Sequence, residues 1–365
     1  MNSKKKKLLV FIPSIEDGGV EKNLYIILNF LSKKIDDVVL LTFDGSKNKF
    51  FDKKIKILNP FFNFNFFKGR YPKYLLCLLY LVKILIFNKN FLILSFQANI
   101  YVLIISRIFN TKVVSRSNSS STGWSRNFIK KKIFSYFIKK ADNIIVNSSD
   151  FKIEMDKKYN INTTCILNPF IFENIKKKSN VKVRNLYPKN SLRLITVGRL
   201  TKQKDFLTML KAIKLVKKRK VFLIIIGKGS EEDNLKNFIR ENKLLNKVKF
   251  IGYQSNPFKY IKQAEIFLLT SVFEGSPNVL VEAQYLKRFI ISTNCPTGPR
   301  EILNNKKNGD LVEVGDYNKI SKLLENYKFN SKIKSKILLG FNNTKKYHYK
   351  KNCIQYYNLI KKFLK

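Results

Sequence analysis

Histidine is almost missing from this chain: of 365 residues only His348, near the C-terminus, is one. The four cysteines, Cys77, Cys165, Cys295 and Cys353, form no C-x-x-C pair. Histidine-rich metal chemistry is thereby excluded, and the cysteine spacing supports neither a zinc site nor a disulfide framework. A reducing, cytosolic compartment is expected. Long apolar runs are scarce as well. The nearest candidate, Tyr74–Phe87, is interrupted by Lys83 and falls short of the roughly 18–20 residues that a spanning helix needs. Lys4–Lys7 precede Leu8–Pro13 in the manner of a signal peptide, but the apolar run is too short and no small-residue cleavage site follows. Leu8–Ile12 reads instead as a buried first strand.

Acidic residues are the next shortage. Asp and Glu number 25 against 71 Lys and Arg, a net charge of +46. Such an excess suits nucleic acid, an anionic membrane surface or acidic small-molecule ligands. Part of it follows composition alone, because Lys, Asn, Ile and Phe are abundant together, as an AT-rich coding sequence produces. A nucleic-acid-binding protein is the rival reading, and it predicts an aromatic-studded basic surface whose affinity falls steeply with salt. No RNA- or DNA-binding motif is present, so no nucleic-acid partner is expected. Nor does the chain contain G-x-x-x-x-G-K-[ST], H-E-x-x-H, G-x-S-x-G or a D-x-D pair to hold a metal–diphosphate.

What the chain does have is alternation. Hydrophobic content of 45% is that of a globular protein, and the length suffices for two domains. Strand-length apolar runs alternate with amphipathic segments in both halves, which predicts parallel βαβ units. The predicted strands of the first half are Leu8–Ile12, Val38–Phe43, Leu92–Phe96, Lys112–Ser115 and Asn143–Val146. Those of the second are Leu192–Val197, Phe222–Ile226, Lys249–Gly252, Ile266–Thr270 and Phe289–Thr293. An α/β fold of two Rossmann-like, doubly wound domains is expected, with ligands outside the carboxyl ends of the strands. The polar, basic stretch Glu173–Asn190 has the composition of a linker. Domains over 1–175 and 190–347 would then face each other across a cleft.

The most informative stretch is EGSPNVLVE, from Glu274 to Glu282. Ile266–Ser271 before it has buried-strand length, Ser276 is a good N-cap, and Pro277 suits a first helical turn. Backbone N–H groups around Pro277–Val279 could receive an anion or sugar oxygens, with a carboxylate on either side. Together with STNCPTGPREIL (Ser292–Leu303), this run resembles the E-x7-E region of retaining nucleotide-sugar glycosyltransferases of the GT-B fold, family 4 (group 1). The continuation is similar to that of members building bacterial surface polysaccharides and glycans. VGRLTKQKDF (Val197–Phe206), IIIGKGSEEDNL (Ile224–Leu235) and GYQSNPFKYIKQAE (Gly252–Glu265) resemble further segments of the family, and SIEDGGVEKNL (Ser14–Leu24) its glycine-rich first loop. One departure is Asp205, standing where a glycine is more usual.

The resemblance implies a metal-independent hexosyltransferase without a cofactor. It would move a sugar, with retention, from a nucleotide diphosphate sugar (a UDP-sugar) to a lipid-linked or polysaccharide acceptor such as those of lipopolysaccharide or capsule. On that reading Glu274 steadies charge at the donor sugar while Arg199 and Lys204 hold the diphosphate, one as a fork and one as a point charge. Gly18, Gly19, Gly227, Tyr253 and Gln254 would contact the donor, as would Gly275, Ser276, Pro277, Asn278 and Val279, with Glu282 on the ribose. Gly229 would share the role of Gly227. Glu21, Asn99, Arg116 and Asn118 are candidates for the acceptor. A last helix, about 348–365, would cross back to the first domain with Cys353, Ile354, Tyr357 and Ile360 on one face. An inactive relative serving as an assembly partner is the remaining alternative, against which intact Glu274, Glu282, Arg199 and Lys204 weigh. Phe61, Phe62, Phe64, Phe66 and Phe67 lie just before Lys68, Arg70 and Lys73. Rings and cations so placed suit anionic headgroups, and peripheral attachment to the inner face of the plasma membrane is expected.

Overall fold

The computed structural model describes residues 6–16, 18–60, 69–118 and 128–365; the cluster Phe61–Phe67 with Lys68 lies outside them. The chain divides into two compact units, Met1–Phe170 with Tyr347–Lys365, and Ile171–Lys346. In the first unit the order is β1 (Lys7–Phe11), α1 (Gly19–Leu31), β2 (Val38–Leu41), β3 (Lys56–Leu58), α2 (Arg70–Phe87), β4 (Phe91–Ser95) and α3 (Asn99–Ile108). It continues with β5 (Lys112–Arg116), α4 (Phe128–Ile138), β6 (Asn143–Val146), α5 (Ser149–Tyr159) and β7 (Thr164–Cys165). The second unit opens with α6 (Phe172–Ser179), β8 (Leu192–Val197), α7 (Phe206–Leu215), β9 (Val221–Ile226), α8 (Glu232–Glu241), β10 (Val248–Phe250) and α9 (Phe258–Ile261). It closes with β11 (Ile266–Leu269), α10 (Asn278–Tyr285), β12 (Phe289–Thr293), α11 (Pro299–Ile302), β13 (Asp310–Val312), α12 (Tyr317–Glu325) and α13 (Ser331–Asn343). The chain then returns to the first unit as α14 (Tyr349–Leu364).

Each unit is built on one parallel sheet, in the order β3-β2-β1-β4-β5-β6-β7 in the first and β10-β9-β8-β11-β12-β13 in the second. The central strands are buried on both faces, which is why they read as near-continuous apolar runs. Along β1 the side chains alternate: Leu8 and Val10 pack with α1 and α14, Leu9 and Phe11 with the opposite core that includes α2, α3 and α5. Both sheets reverse their winding between neighbours, at β1/β4 and at β8/β11, and a doubly wound sheet binds ligands at the carboxyl ends of such a pair. Strands β3, β7 and β13 escaped the sequence reading because two or three residues are too few to carry a period. No helix among the described residues is long and apolar enough to cross a membrane.

Two expectations need correction here. The stretch Glu173–Asn190 is not a free linker. Its first turns form α6, whose Phe172, Ile175 and Ser179 are buried, and the chain beyond is tied down by Gln263 Nε2 donating to the Val183 carbonyl at 3.1 Å. Lys176–Lys178 made a half-buried helix look like a solvated tether. On α14 the buried face is Cys353, Tyr356, Ile360 and Leu364, whereas Ile354 is 46% exposed and Tyr357 is only partly buried. The helical period was right and its phase was one residue off, because the apolar pairs Cys353–Ile354 and Tyr356–Tyr357 leave the phase ambiguous.

Arg116 is a buried internal cation, with a relative exposure of 0%. Its Nε donates to the Tyr356 hydroxyl at 2.8 Å and an Nη to Asn168 Oδ1 at 2.7 Å; the other Nη donates to Asn118 Oδ1. The guanidinium lies 5.3 Å from the centre of the Phe96 ring. Asn99 and Asn118 are used in the same way, donating to the carbonyls of Arg116 and Phe96 at 2.9 and 3.0 Å. These groups knit the ends of β4 and β5 to α14. Burying a cation without a carboxylate is expensive unless every donor is used and an aromatic face helps. Phenylalanine at Tyr356 keeps the ring but leaves Arg116 Nε unsatisfied. We expect Tyr356→Phe to lower stability by about 1.5–3 kcal/mol, read as a lower denaturation midpoint at unchanged slope. An unchanged midpoint would show that the hydrogen bond contributes nothing.

Candidate functional site

In the second unit the winding reverses between β8 and β11, so the loops leaving their carboxyl ends emerge side by side. The first loop carries Arg199 and Lys204, the second Glu274. Lys204 Nζ lies 2.5 Å from Glu274 Oε1, with side-chain exposures of 19% and 7%. Ser271 Oγ donates to the same Oε1 at 2.6 Å. The backbone of this second loop is fixed as well: Thr297 Oγ1 donates to the Glu274 carbonyl at 2.5 Å, and Gln203 Nε2 to that of Phe273 at 2.8 Å. Val272 N–H donates to the Gln203 carbonyl at 2.8 Å, joining the two loops directly. The result is a buried, oriented carboxylate whose charge is met by one lysine. Arg199 is exposed on the same loop as Lys204.

The departure at Asp205 now has a physical account. Asp205 has φ 42 and ψ 53, a left-handed conformation that glycine adopts freely and aspartate tolerates. Its carboxylate also caps α7, accepting from Thr208 N–H at 3.2 Å and from Thr208 Oγ1 at 2.6 Å. Thr270 Oγ1 donates to the Asp205 carbonyl at 2.8 Å, so the loop is held from β11 as well.

The glycines of IIIGKG serve backbone packing. Gly227 has φ 155, and a Cβ there would fall 1.9 Å from the Gly198 carbonyl oxygen; at Gly229 it would fall 2.3 Å from that of Leu200. The close approach is therefore to the loop that carries Arg199 and Lys204. Gly298 plays a matching part for the other loop: its φ is 83 and a Cβ would lie 2.6 Å from the Gly275 oxygen. Beyond this contact Pro277 is extended and takes the capping position, and α10 begins at Asn278. The expected cap at Ser276 is thus displaced by one residue. Glu282 follows on α10 and is 2% exposed.

Tyr253 is 44% exposed, with Lys228 Nζ 5.4 Å from its ring centre, whereas Gln254 donates within its own turn to the Ile251 carbonyl at 2.8 Å. In the first unit Gly18 caps α1, Gly19 opens it, and Glu21 is buried with Oε2 where a Cβ on Gly18 would come within 2.7 Å. Gly18 thus leaves room for the Glu21 carboxylate. Ser271, Thr297 and Gln203 were missed by the sequence reading. The only signals were a serine closing the apolar run Ile266–Ser271 and a threonine between Pro296 and Gly298. Cys295 is buried nearby, and burial, reinforced by the Glu274 charge, pushes its thiol up to about 12, which makes it an inert packing group.

Residues 177–337, within the second unit, match the family described as glycosyl transferases group 1. An uncharacterized glycosyltransferase of Methanocaldococcus jannaschii is 37% identical over 196 residues, 51% of this chain; the chain spans about half of that relative's length, 48%. A Campylobacter jejuni relative is 28% identical over 355 residues, covering 91% of this chain and 93% of its own. It is N-acetylgalactosamine-N,N'-diacetylbacillosaminyl-diphospho-undecaprenol 4-alpha-N-acetylgalactosaminyltransferase. Among solved structures, Anabaena HepE in complex with UDP and glucose superposes with a TM-score of 0.80 at 17% identity, covering 98% of this chain and 100% of that one. The fold is accordingly the two-sheet, Rossmann-like α/β architecture of GT-B glycosyltransferases.

Asp205 offers a direct test of how the lysine loop is held. Asp205→Gly relieves a left-handed backbone worth about 1–2 kcal/mol and loses a cap worth about 1 kcal/mol, so near-neutral stability is expected. Asp205→Ala loses the cap and keeps the backbone cost, and should be about 1–2 kcal/mol less stable than Asp205→Gly. Melting temperatures in the opposite order would contradict the capped, left-handed turn.

Proposed function

We propose that this group 1 glycosyltransferase domain uses the Lys204–Glu274 pair to bind and activate a nucleotide diphosphate sugar, a UDP-sugar, for retaining transfer to a glycan acceptor. One observation carries the reading: a buried lysine–carboxylate contact of 2.5 Å at the carboxyl ends of the two strands between which the sheet reverses. A cation there can meet a diphosphate, and a carboxylate there can meet sugar hydroxyls and steady positive charge at the anomeric carbon. When a diphosphate takes over Lys204, Glu274 is left to the sugar, still held by Ser271 Oγ and by the fixed backbone around it. Arg199 adds a second cation from the same loop. Glu282 is assigned to the ribose, Gly275–Val279 to donor contacts, and Tyr253, with its half-open ring, to the base.

The acceptor is proposed to be a lipid-linked or polysaccharide glycan, in line with the Campylobacter relative, whose name carries a diphospho-undecaprenol acceptor. The chain would then work at the cytoplasmic face of a membrane, attached peripherally. The diphosphate leaving group is neutralised by Lys204 and Arg199 on this reading, without a metal. Retention is assigned to a front-face displacement, in which the new bond forms on the face from which the diphosphate leaves.

The experiment is incubation with a panel of nucleotide sugars, measuring nucleotide release and the anomeric signal of the product. Glu274→Gln should lose most transfer, and near-normal turnover in that variant would remove the assignment. Lys204→Ala and Arg199→Ala should each lower turnover about a hundredfold, and activity should survive a strong chelator. Glu282→Gln should act on donor affinity, weakening it roughly tenfold to a hundredfold. Activity abolished by chelation and restored by magnesium or manganese would overturn the metal-free account.

A further inference from the structure

The first unit contains a cavity of about 440 Å³ on the face of its sheet that α2, α3 and α4 cover. Its volume falls in the range of small-molecule sites, roughly 300–1,000 Å³. Leu103, Phe134, Ile138 and Ile144 give it an apolar wall. Tyr101, 52% exposed, also lines it, so the cavity reaches the surface beside α3. Opposite that wall the lining is polar, with Asn99, Arg116 and Asn118, and one hydroxyl there stands out. Ser115, on β5, is 2% exposed, and its Oγ has no hydrogen-bond partner among the described residues. Asn99, Asn118 and the Arg116 guanidinium are already engaged with Ser95, the strand ends, Asn168 and Tyr356, whereas Ser115 Oγ is not. A buried hydroxyl without a partner costs free energy, and a ligand atom at the site would recover it.

The surroundings narrow the ligand further. From Lys53 to Ala141 the chain has no Asp or Glu while Lys and Arg recur throughout, so α2, α3 and α4 carry positive charge only. The outer face of α2 is apolar as well, with Tyr71, Leu75, Leu79 and Ile86 exposed at near-helical spacing. A carboxylate that does meet α2, Asp44, is paired with Lys73 at 2.5 Å, so the remaining cations with exposed rings and aliphatic side chains suit an anionic headgroup.

We propose that this cavity takes the hydrocarbon chain of an anionic, phosphate-headed lipid, with an oxygen near its head group meeting Ser115 Oγ. Two sources share this chemistry: a lipid of the bilayer, and a prenyl phosphate such as the lipid part of a glycan acceptor. The second source rests on the functional reading above; the first does not.

The probe is farnesyl phosphate, with binding to the full-length protein followed by equilibrium dialysis. Saturable binding is expected, at least about tenfold weaker for geranyl phosphate, because each buried methylene contributes about a factor of four. Leu103→Trp fills the cavity and should abolish binding. Ser115→Ala keeps the shape, needs no repacking, and should weaken binding about fivefold to tenfold, deciding the matter if the tryptophan variant does not fold. Displacement of the probe by phosphatidylglycerol vesicles would identify a bilayer lipid as the ligand. Persistence of the probe against such vesicles would identify a prenyl phosphate, and either outcome supports the site. No saturable binding by the wild-type protein, or equal binding by a folded Leu103→Trp variant, would overturn it. Nucleotide release from donor alone separates the two proposals. It should be unchanged in Leu103→Trp and Ser115→Ala, so loss of probe binding with intact release faults only the cavity. Absence of release in the wild type faults only the functional reading.

Discussion

A lysine and a carboxylate 70 residues apart can share a proton-sized gap only if the strands that carry them are neighbours. In the second unit that adjacency comes from the sheet itself. Right-handed crossovers wind outward from β8 in one direction and from β11 in the other, and the two first strands of each half are left side by side. Lys204 and Glu274 ride on the loops that leave them. Everything else in the site serves to keep those loops in register. Gly227 and Gly229 let a third loop press against the lysine loop, Asp205 turns and caps it, and Gly298 presses on the carboxylate loop from the other side.

The two units handle buried charge differently. In the second, cation and anion face each other directly, and removing either partner would leave a charge in a low-dielectric setting, a situation that usually costs several kcal/mol. In the first, Arg116 is surrounded by neutral acceptors and an aromatic face, with Tyr356, Asn118 and Asn168 taking its donors. An anion that took Lys204 would leave Glu274 with the hydrogen bond from Ser271 Oγ. The neutral cage holds strand ends and has nothing to exchange.

Much of this was legible in the sequence, for reasons that differ from element to element. The central strands announce themselves because burial on both faces leaves few polar interruptions, as in Leu192–Val197 and Asn143–Val146. Glu274 and Lys204 stand out through local motifs, each within a loop that follows an apolar run. Their contact does not, since no local pattern records which strands are adjacent. Arg116 and Arg199 look alike in sequence, each a basic residue at or just beyond a strand end, and only the position of Tyr356, 240 residues later, makes one of them internal. The aspartate at position 205 was visible as an oddity, and its meaning required a backbone angle.

The path of the chain has a consequence for how it is made. The core of the first unit includes Cys353, Tyr356, Ile360 and Leu364, residues synthesised after the whole of the second unit, which is one unbroken segment, Ile171–Lys346. The first unit therefore cannot close its core until the segment after the second unit has been made, and until then the α1 face of the sheet that began with Lys7 lacks the cover of α14. A chain cut before Tyr349 would keep every strand of both sheets and expose the apolar surface that α1 and its sheet present to α14.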